Sequence, residues 1–598
     1  MATQELRRSQ LVTTFGPGAM IDLPDESVIV AGLEHWHYDA ARIPSIDEPR
    51  LVEKLKRTLE RDTLTLRSPP PAADRPGAVP TDVTVWKFPK WFTVQEPALR
   101  TGGRRERRLV HARDLDRGQF RDPDTRKKLD VVPVRFVRAC DKGHVDDINW
   151  KAFVHEKNAD CMRRLWIQER GTSGDLDQVV VACECGAERV MSQAARPDLG
   201  ALGHCNGRRP WLGAGQAEQC GRPSRLLIRS ASNAYFPQIM SVISIPNVRR
   251  PVEDAVKSLW DDFLVDLETV DDLPRIRRKP TPAERLQPFS DADVMGAIER
   301  QRRSGGDGDR SVKEVEFEAL TESPDEMGAD VPDGVFYARN VSRNLWDAPW
   351  MRSICRVVLV HRLREVAALV GFTRFEAAGP DIQGELSLEV SRAELSIESP
   401  WLPAVENRGE GIFLEFDAEA VAAWETRPAV AARGRRLLAG YDAWKGERKH
   451  ALEFPGTRYY MLHSFSHLLM TAIALECGYP ASSLRERIYC LPDRRCGVLV
   501  YTGSSDAEGT LGGLVMAGRS IRRHVHRALE SGTLCSNDPV CAFHVPEAHD
   551  HQPLAGSSCH GCLLVSETSC EQHNNFLDRA LVVPTVEGLG AEFFRDVV

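Results

Sequence analysis

Eleven of the chain's fifteen cysteines crowd into two segments, six between Cys140 and Cys220 and five between Cys535 and Cys570. The C-terminal five are spaced C-x5-C…C-x2-C-x7-C. A C-x2-C turn brings two sulfurs within reach of one ion, and more distant cysteines complete a tetrahedral shell. The set that best fits is Cys541, Cys559, Cys562 and Cys570, with Cys535 as the alternative ligand. Four sulfurs leave no open position for an activated water, so this zinc is expected to be structural.

The N-terminal group begins with Cys140-Asp141-Lys142-Gly143-His144 and continues through Cys161, Cys183, Cys185, Cys205 and Cys220. Glycines Gly186, Gly203, Gly207 and Gly221 stand beside the later cysteines, as knuckle turns require. The expected first zinc is held by Cys183, Cys185, Cys205 and Cys220. Cys140 and His144, at a workable C-x3-H spacing, and Cys161 remain alternatives for a place in it. About two structural zinc ions are therefore expected. Cys355, Cys477, Cys490 and Cys496 stand alone in apolar or loop contexts and read as inert buried thiols.

Metal ligation is preferred to disulfides because the chain reads as cytoplasmic. Its N-terminus is charged where a secretory signal needs an apolar core, and no apolar run of about 18 residues appears. At 598 residues the chain exceeds the roughly 250–300 residues of a single core. The expected fold is mixed α/β and multidomain, with a Cys-rich zinc-ribbon-like insertion and a C-terminal α/β domain carrying the second zinc site. The divisions read as 1–130, an N-terminal mixed α/β domain; 131–250, the Cys-rich region; 251–330, a charged helical segment and linker; 331–450, a mixed α/β middle domain; and 451–598, the zinc-binding C-terminal domain. Net charge is -8 with a pI near 6.1, so contact with nucleic acid must come from local patches or a partner. The arginines at 100, 104, 105, 107 and 108 form one such patch, competing with a reading as a solvated loop.

Gly16-Pro17-Gly18 reads as a turn joining two short β-prone runs. Residues 350–372 read as a helix stopped by Gly371, Leu386–Val390 and Gly411–Phe416 as strands, and 418–426 and 437–444 as helices. In the apolar helix at 458–478, His463 and His467 share one face and could chelate a metal. Ser464 stands where a metalloprotease needs glutamate, so hydrogen-bonded core histidines are preferred. The Gly-rich loop at 502–513 follows an apolar strand but lacks a Walker lysine, and no G-x-x-x-x-G-K-[ST] occurs in the chain.

The opening Arg8-Ser9-Gln10-Leu11-Val12-Thr13-Thr14-Phe15-Gly16-Pro17-Gly18-Ala19, the Cys140–His144 knuckle, the histidine helix, Gly509–Leu514 and the Cys559-His560-Gly561-Cys562…Leu577-Asp578-Arg579 pattern together resemble the DrmB family of the DISARM bacterial anti-phage system. About the last 150 residues are similar to the zinc-binding domain of MrfA-type repair helicases. The resemblance implies a non-enzymatic accessory subunit that forms a heterodimer with the helicase-like DrmA and engages invading DNA at ends or single-stranded regions. The competing reading is a metal-dependent nuclease or hydrolase with its site near His463, His467 and the 502–513 loop.

Overall fold

The computed structural model describes residues 6–23, 26–41, 43–71, 81–99, 105–156, 160–170, 174–245, 251–265, 267, 269–303, 310–322, 325–331, 334–377, 379–386, 390–446, 453–503, 512–546 and 552–595. The chain divides into two compact units, Met1–Ser241 with Val366–Pro380 and Leu386–Glu406, and Val242–Glu365 with Asp381–Glu385 and Asn407–Val598. Mixed strands and helices build both, as expected. Among the described residues no helix is long and apolar enough to cross a membrane.

The first unit is mostly β. Its main sheet runs Val131–Pro133, Trp91–Val94, Arg105–His111, Leu165–Glu169, Val179–Cys183 and Glu188–Val190, with Ala98–Leu99 paired to Arg105–His111. The helix Trp150–His155, N-capped by Asn149, which accepts the Ala152 N–H at 3.1 Å, packs on the strands Val179–Cys183 and Glu188–Val190. Trp150, Phe153, Ile167 and Val181 are buried there. A smaller sheet orders Val145–Asp146, Phe136–Ala139 and Arg225–Ile228, and its first two strands set the Cys140–His144 turn. The Gly-Pro-Gly turn joins a short helix, Gln10–Thr13, to the hairpin Met20–Asp22 and Ser27–Val30, so the first of the two runs is helical. Arg374 is buried and donates to the carbonyls of Gly18 (2.8 Å), Gly143 (2.9 Å) and Ala234. It thereby ties the opening turn to the first cysteine knuckle.

The second unit contains the strands Glu326–Gly328, Phe336–Asn340, Cys496–Thr502 and Leu484–Cys490, with the portions of Ile354–Thr373 and Trp401–Phe416 that belong to this unit. Residues 354–373 form a strand and not the expected helix. Their side chains are buried on both faces over most of the length, so the apolar run shows no alternation to read. The β-branched Ile354, Val357, Val358, Val360, Val366 and Val370 favour the extended form. The expected strand Gly411–Phe416 is the end of Trp401–Phe416, and the helices Ala418–Glu425 and Pro428–Lys445 follow it. Leu386–Val390 lies mostly outside the described residues.

The centre of this unit is the helix Gly456–Cys477, apolar on all sides and closed by Gly478 in the left-handed region at φ 70°. Leu484–Cys490 and Ile521–Gly532 pack against it. Phe465, Leu469, Ile473, Val500 and Leu529 are fully buried in the shared core. Helices Pro251–Leu259, Pro280–Leu286 and Asp291–Arg303 gather around a separate small core that includes Val256, Leu286 and Ile298. Between 533 and 595 the described residues form turns and a single 3-10 turn, Arg579–Leu581.

Candidate functional site

Three groups of cysteines and histidines each bring four ligand atoms within 4.8 Å of one another: Cys140, His144, Cys205 and Cys220; His155, Cys161, Cys183 and Cys185; and Cys535, Cys541, Cys559 and Cys562. The first two lie in the first unit and the third in the second unit. All fifteen cysteines are free thiols.

In the first group Cys140 and His144 flank a turn closed by hydrogen bonds from the Gly143 N–H to the Cys140 carbonyl (3.0 Å) and from the Cys140 N–H to the His144 carbonyl (3.1 Å). Gly143 sits at φ +82°, and a Cβ there would stand 2.6 Å from that of Ala393. Opposite, residues 204–223 fold back on themselves through the bridges His204–Pro223 and Arg208–Ala217. Gly207, at φ +67°, donates its N–H to Cys205 Sγ at 3.3 Å, and a Cβ on it would collide with the Glu218 backbone. His144 Nδ1 lies 3.4 Å from Cys140 Sγ and 3.6 Å from Cys205 Sγ. Its Nε2 is held by Glu218 Oε1 at 3.0 Å. A carboxylate behind a histidine fixes the ring and raises its strength as a ligand. Burial pushes the Cys140 and Cys205 thiols up, so two thiolates here need the positive charge of an ion.

The second group takes His155 from the end of its helix, one residue type the spacing of cysteines never signalled. His155 Nδ1 donates to the Lys151 carbonyl at 2.8 Å, which leaves Nε2, 3.2 Å from Cys185 Sγ, with its lone pair free. Cys161 and Cys183 approach to 3.7 Å. Cys183 ends a strand, and its turn is closed by the Gly186 N–H on the Cys183 carbonyl at 3.0 Å. The Ala187 N–H is the main cause holding the Cys185 thiol down, to about 6, near the range in which a thiolate is ready to bind metal.

In the third group the C-x2-C pair Cys559 and Cys562 stands 3.7 Å apart, with Cys535 3.3 Å from Cys559 and Cys541 3.7 Å from Cys562. Backbone N–H groups of Asn537 and Gly561 and the Asn537 side-chain amide donate to the sulfurs of Cys535 and Cys559 at 3.2–3.4 Å. Burial outweighs the Asn537 N–H and pushes the Cys535 thiol up to about 11, so a thiolate there needs the positive charge of an ion.

The structure therefore divides the expected first set. Cys183 and Cys185 lie in one group and Cys205 and Cys220 in another, while Cys140, His144 and Cys161, held as alternatives, join His155 in completing the two quartets. The physical reason is that Cys183 ends a strand of the main sheet with Cys185 in the turn that follows, whereas Cys205 and Cys220 lie on the folded-back segment 204–223 facing the Cys140 turn. At the C-terminus Cys535 and Cys541 do not compete for one place: both face Cys559 and Cys562. Cys570 points elsewhere, 3.1 Å from His463 Nε2. Sequence reasoning missed His155, and also Glu486, whose carboxylate meets both His463 and His467. The only signal for His155 was its place six residues before Cys161; Glu486 left none.

Residues 465–563 match the MrfA Zn-binding domain, a stretch that holds all of the Cys535, Cys541, Cys559 and Cys562 group. Residues 7–236 match Domain of unknown function (DUF8724), which spans both N-terminal groups. The DISARM protein DrmB of Bacillus paralicheniformis is 32% identical over 503 residues, covering 81% of this chain and 86% of that protein. An identity of that level across most of both lengths, with a zinc-binding family model falling on a geometrically complete cysteine quartet, means that the chain belongs to the DrmB family of DISARM proteins.

Proposed function

We propose that this chain is a non-catalytic, zinc-stabilised subunit of a DISARM defence assembly in the cytoplasm, which pairs with a helicase-like DrmA and helps to hold invading DNA at single-stranded regions or ends. The observation that carries this reading is the completeness of the three cysteine-rich quartets. Each offers four soft or borderline donors, the number that closes a structural zinc shell and leaves no position for an activated water. Three ions, and not two, fit these groups. The sequence contains no Walker A motif, which fits a reading in which ATP turnover belongs to the partner. The hydrolase alternative has less support. His463 and His467 are 0% exposed, and residues 504–511 of the proposed loop lie outside the described residues. Just beyond that loop, the first N–H groups of Gly513–Arg519 are taken by Glu410, from Leu514 at 2.7 Å and Val515 at 3.2 Å.

A DNA-contacting surface is better sought away from the 100–108 arginines. Arg107 pairs with Glu169 at 2.7 Å, Arg108 lies over the Phe120 ring at 4.7 Å, and 100–104 fall outside the described residues. The helix Ile521–Gly532 offers a clearer face. Ile521, Val525, Ala528 and Leu529 are buried, while Arg522, Arg523 and Arg527 are exposed. Replacing Arg522 and Arg527 together by Gln should weaken single-stranded DNA binding by the complex with DrmA about tenfold. It should also flatten the salt dependence by roughly 1.4 in log–log slope, at about 0.7 for each phosphate left unneutralised. Fluorescence anisotropy across a salt series reads both, and an unchanged affinity and slope would remove this helix from the DNA path. Cleavage of DNA by the isolated chain with divalent metal, abolished by His467→Ala, would overturn the non-catalytic reading.

A further inference from the structure

We propose that His463, His467, Glu486 and Cys570 form a fourth metal centre, a buried zinc site separate from the three cysteine-rich quartets. The four come from different parts of the second unit: the histidines one turn apart on Gly456–Cys477, Glu486 on the strand Leu484–Cys490 and Cys570 in the irregular C-terminal segment. Their ligand atoms lie within 4.8 Å of one another, and the residues are 0%, 0%, 2% and 7% exposed.

Each group is oriented from behind. His463 Nδ1 donates to the Phe576 carbonyl at 3.3 Å and His467 Nδ1 to the Leu563 carbonyl at 2.8 Å. Carbonyls only accept, so both rings carry their proton on Nδ1, and in the neutral form each Nε2 is a bare lone pair. Those two Nε2 atoms stand 2.8 and 3.2 Å from the same carboxylate oxygen, Glu486 Oε1. Cys570 Sγ lies 3.1 Å from His463 Nε2 and accepts the N–H groups of Gln572 (3.4 Å) and Asn574 (3.2 Å). The Glu571 N–H reaches Glu486 Oε1 at 3.3 Å, and the Ser466 hydroxyl donates to Oε2. Two imidazole lone pairs, a carboxylate and a sulfur thus converge in a buried space, and with both histidines neutral and Glu486 ionised the thiol proton is the one hydrogen the four groups have to share.

A divalent ion resolves that crowding of acceptors. One carboxylate and one thiolate cancel its charge, so the buried unit is neutral overall, which avoids leaving an unpaired charge in the core. Zinc bonds of about 2.0–2.3 Å to nitrogen, oxygen and sulfur in a tetrahedron put neighbouring ligand atoms roughly 3.3–3.8 Å apart; the separations of 2.8, 3.1 and 3.2 Å are shorter than that, so the ligands spread by a few tenths of an ångström to admit the ion. Two imidazoles and a thiolate select zinc over magnesium or calcium. With all four positions taken by protein, the ion is structural and clasps the C-terminal segment to the histidine helix and its adjoining strand.

Anomalous diffraction at the zinc edge, from crystals of the full chain purified without chelators, tests the site directly. The expected result is a peak bounded by His463, His467, Glu486 and Cys570, in addition to any peaks at the cysteine quartets. Peaks at the quartets with none among these four residues would overturn the site and leave a protonated histidine–glutamate pair in its place. Peaks missing from the quartets would count against the reading of those groups alone. Native mass spectrometry gives the same answer in solution: the unmodified chain should hold one zinc more than the His463→Gln/Cys570→Ala variant, and equal zinc in two folded proteins would refute the proposal. Should the variant fail to fold, the diffraction experiment on the unmodified chain decides.

Discussion

Cys562→Ser is expected to release the zinc of the C-terminal quartet and unfold the segment 533–595, so that the protein loses solubility and not merely an activity. Cys562 faces both Cys541 and Cys559 at 3.7 Å, and removing it leaves three sulfurs for a shell that needs four. The segment has little regular structure to fall back on, since its described residues hold one 3-10 turn and otherwise only turns. Its apolar anchors Leu554, Leu563, Phe576 and Leu577 belong to the main core of the second unit, and they can stay there only while the backbone between them keeps its path. Structural zinc contributes an apparent 10–16 kcal/mol in zinc-finger peptides, against a typical whole-domain stability of about 5–15 kcal/mol. Losing even part of that term is enough to unfold the segment. Elemental analysis should show one zinc fewer, and limited proteolysis should cut within 533–595 where the parent chain resists. A soluble variant with the parental proteolysis pattern would show that the quartet does not hold this segment.

Arg433→Met should destabilise the second unit by about 3–5 kcal/mol, the cost of leaving a buried charge without its partner. Arg433 Nε donates to Asp578 Oδ2 at 2.7 Å, with the two side chains 1% and 0% exposed. The guanidinium also donates to Ser557 Oγ at 3.1 Å and to the His544 carbonyl at 3.2 Å. Asp578 in turn accepts the N–H groups of Ser557 (3.0 Å) and Ala580 (3.1 Å) through its other oxygen. The space is close: a Cβ on Gly556 would collide with the Asp578 carboxylate and crowd Arg433. Methionine fills most of the arginine's volume but supplies no donor, so the carboxylate stays buried and uncompensated. Adding Asp578→Asn should recover part of the loss, because a neutral amide keeps an acceptor for the backbone and removes the charge. Urea denaturation compares the three proteins. A single variant with the parental midpoint would mean that the pair carries no net stability.

Several features were legible in the residues. The resemblance to the DrmB family, read from the opening motif, the Cys140–His144 knuckle and the C-terminal cysteine pattern, agrees with 32% identity over 81% of the chain to a DISARM protein DrmB. The helix around His463 was plain from its apolar length and its Gly478 stop. The stretch 354–373 was not, because a strand buried on both faces and a buried helix present the same unbroken run of apolar side chains. Only the strands that pair beside it distinguish the two.

What the sequence determined by itself is the chemistry: clustered cysteines beside glycines, one C-x2-C pair certain to face a common point, and two histidines on one face of a helix. Which sulfur goes with which was decided only by tertiary structure. Local spacing restricts neighbours within a turn, but a tetrahedral shell closes across elements far apart in the chain. His155 meets Cys183 and Cys185 because its helix packs on their strand. Cys570 leaves the cysteine quartet because Glu486 and the histidine helix stand where its own turn points.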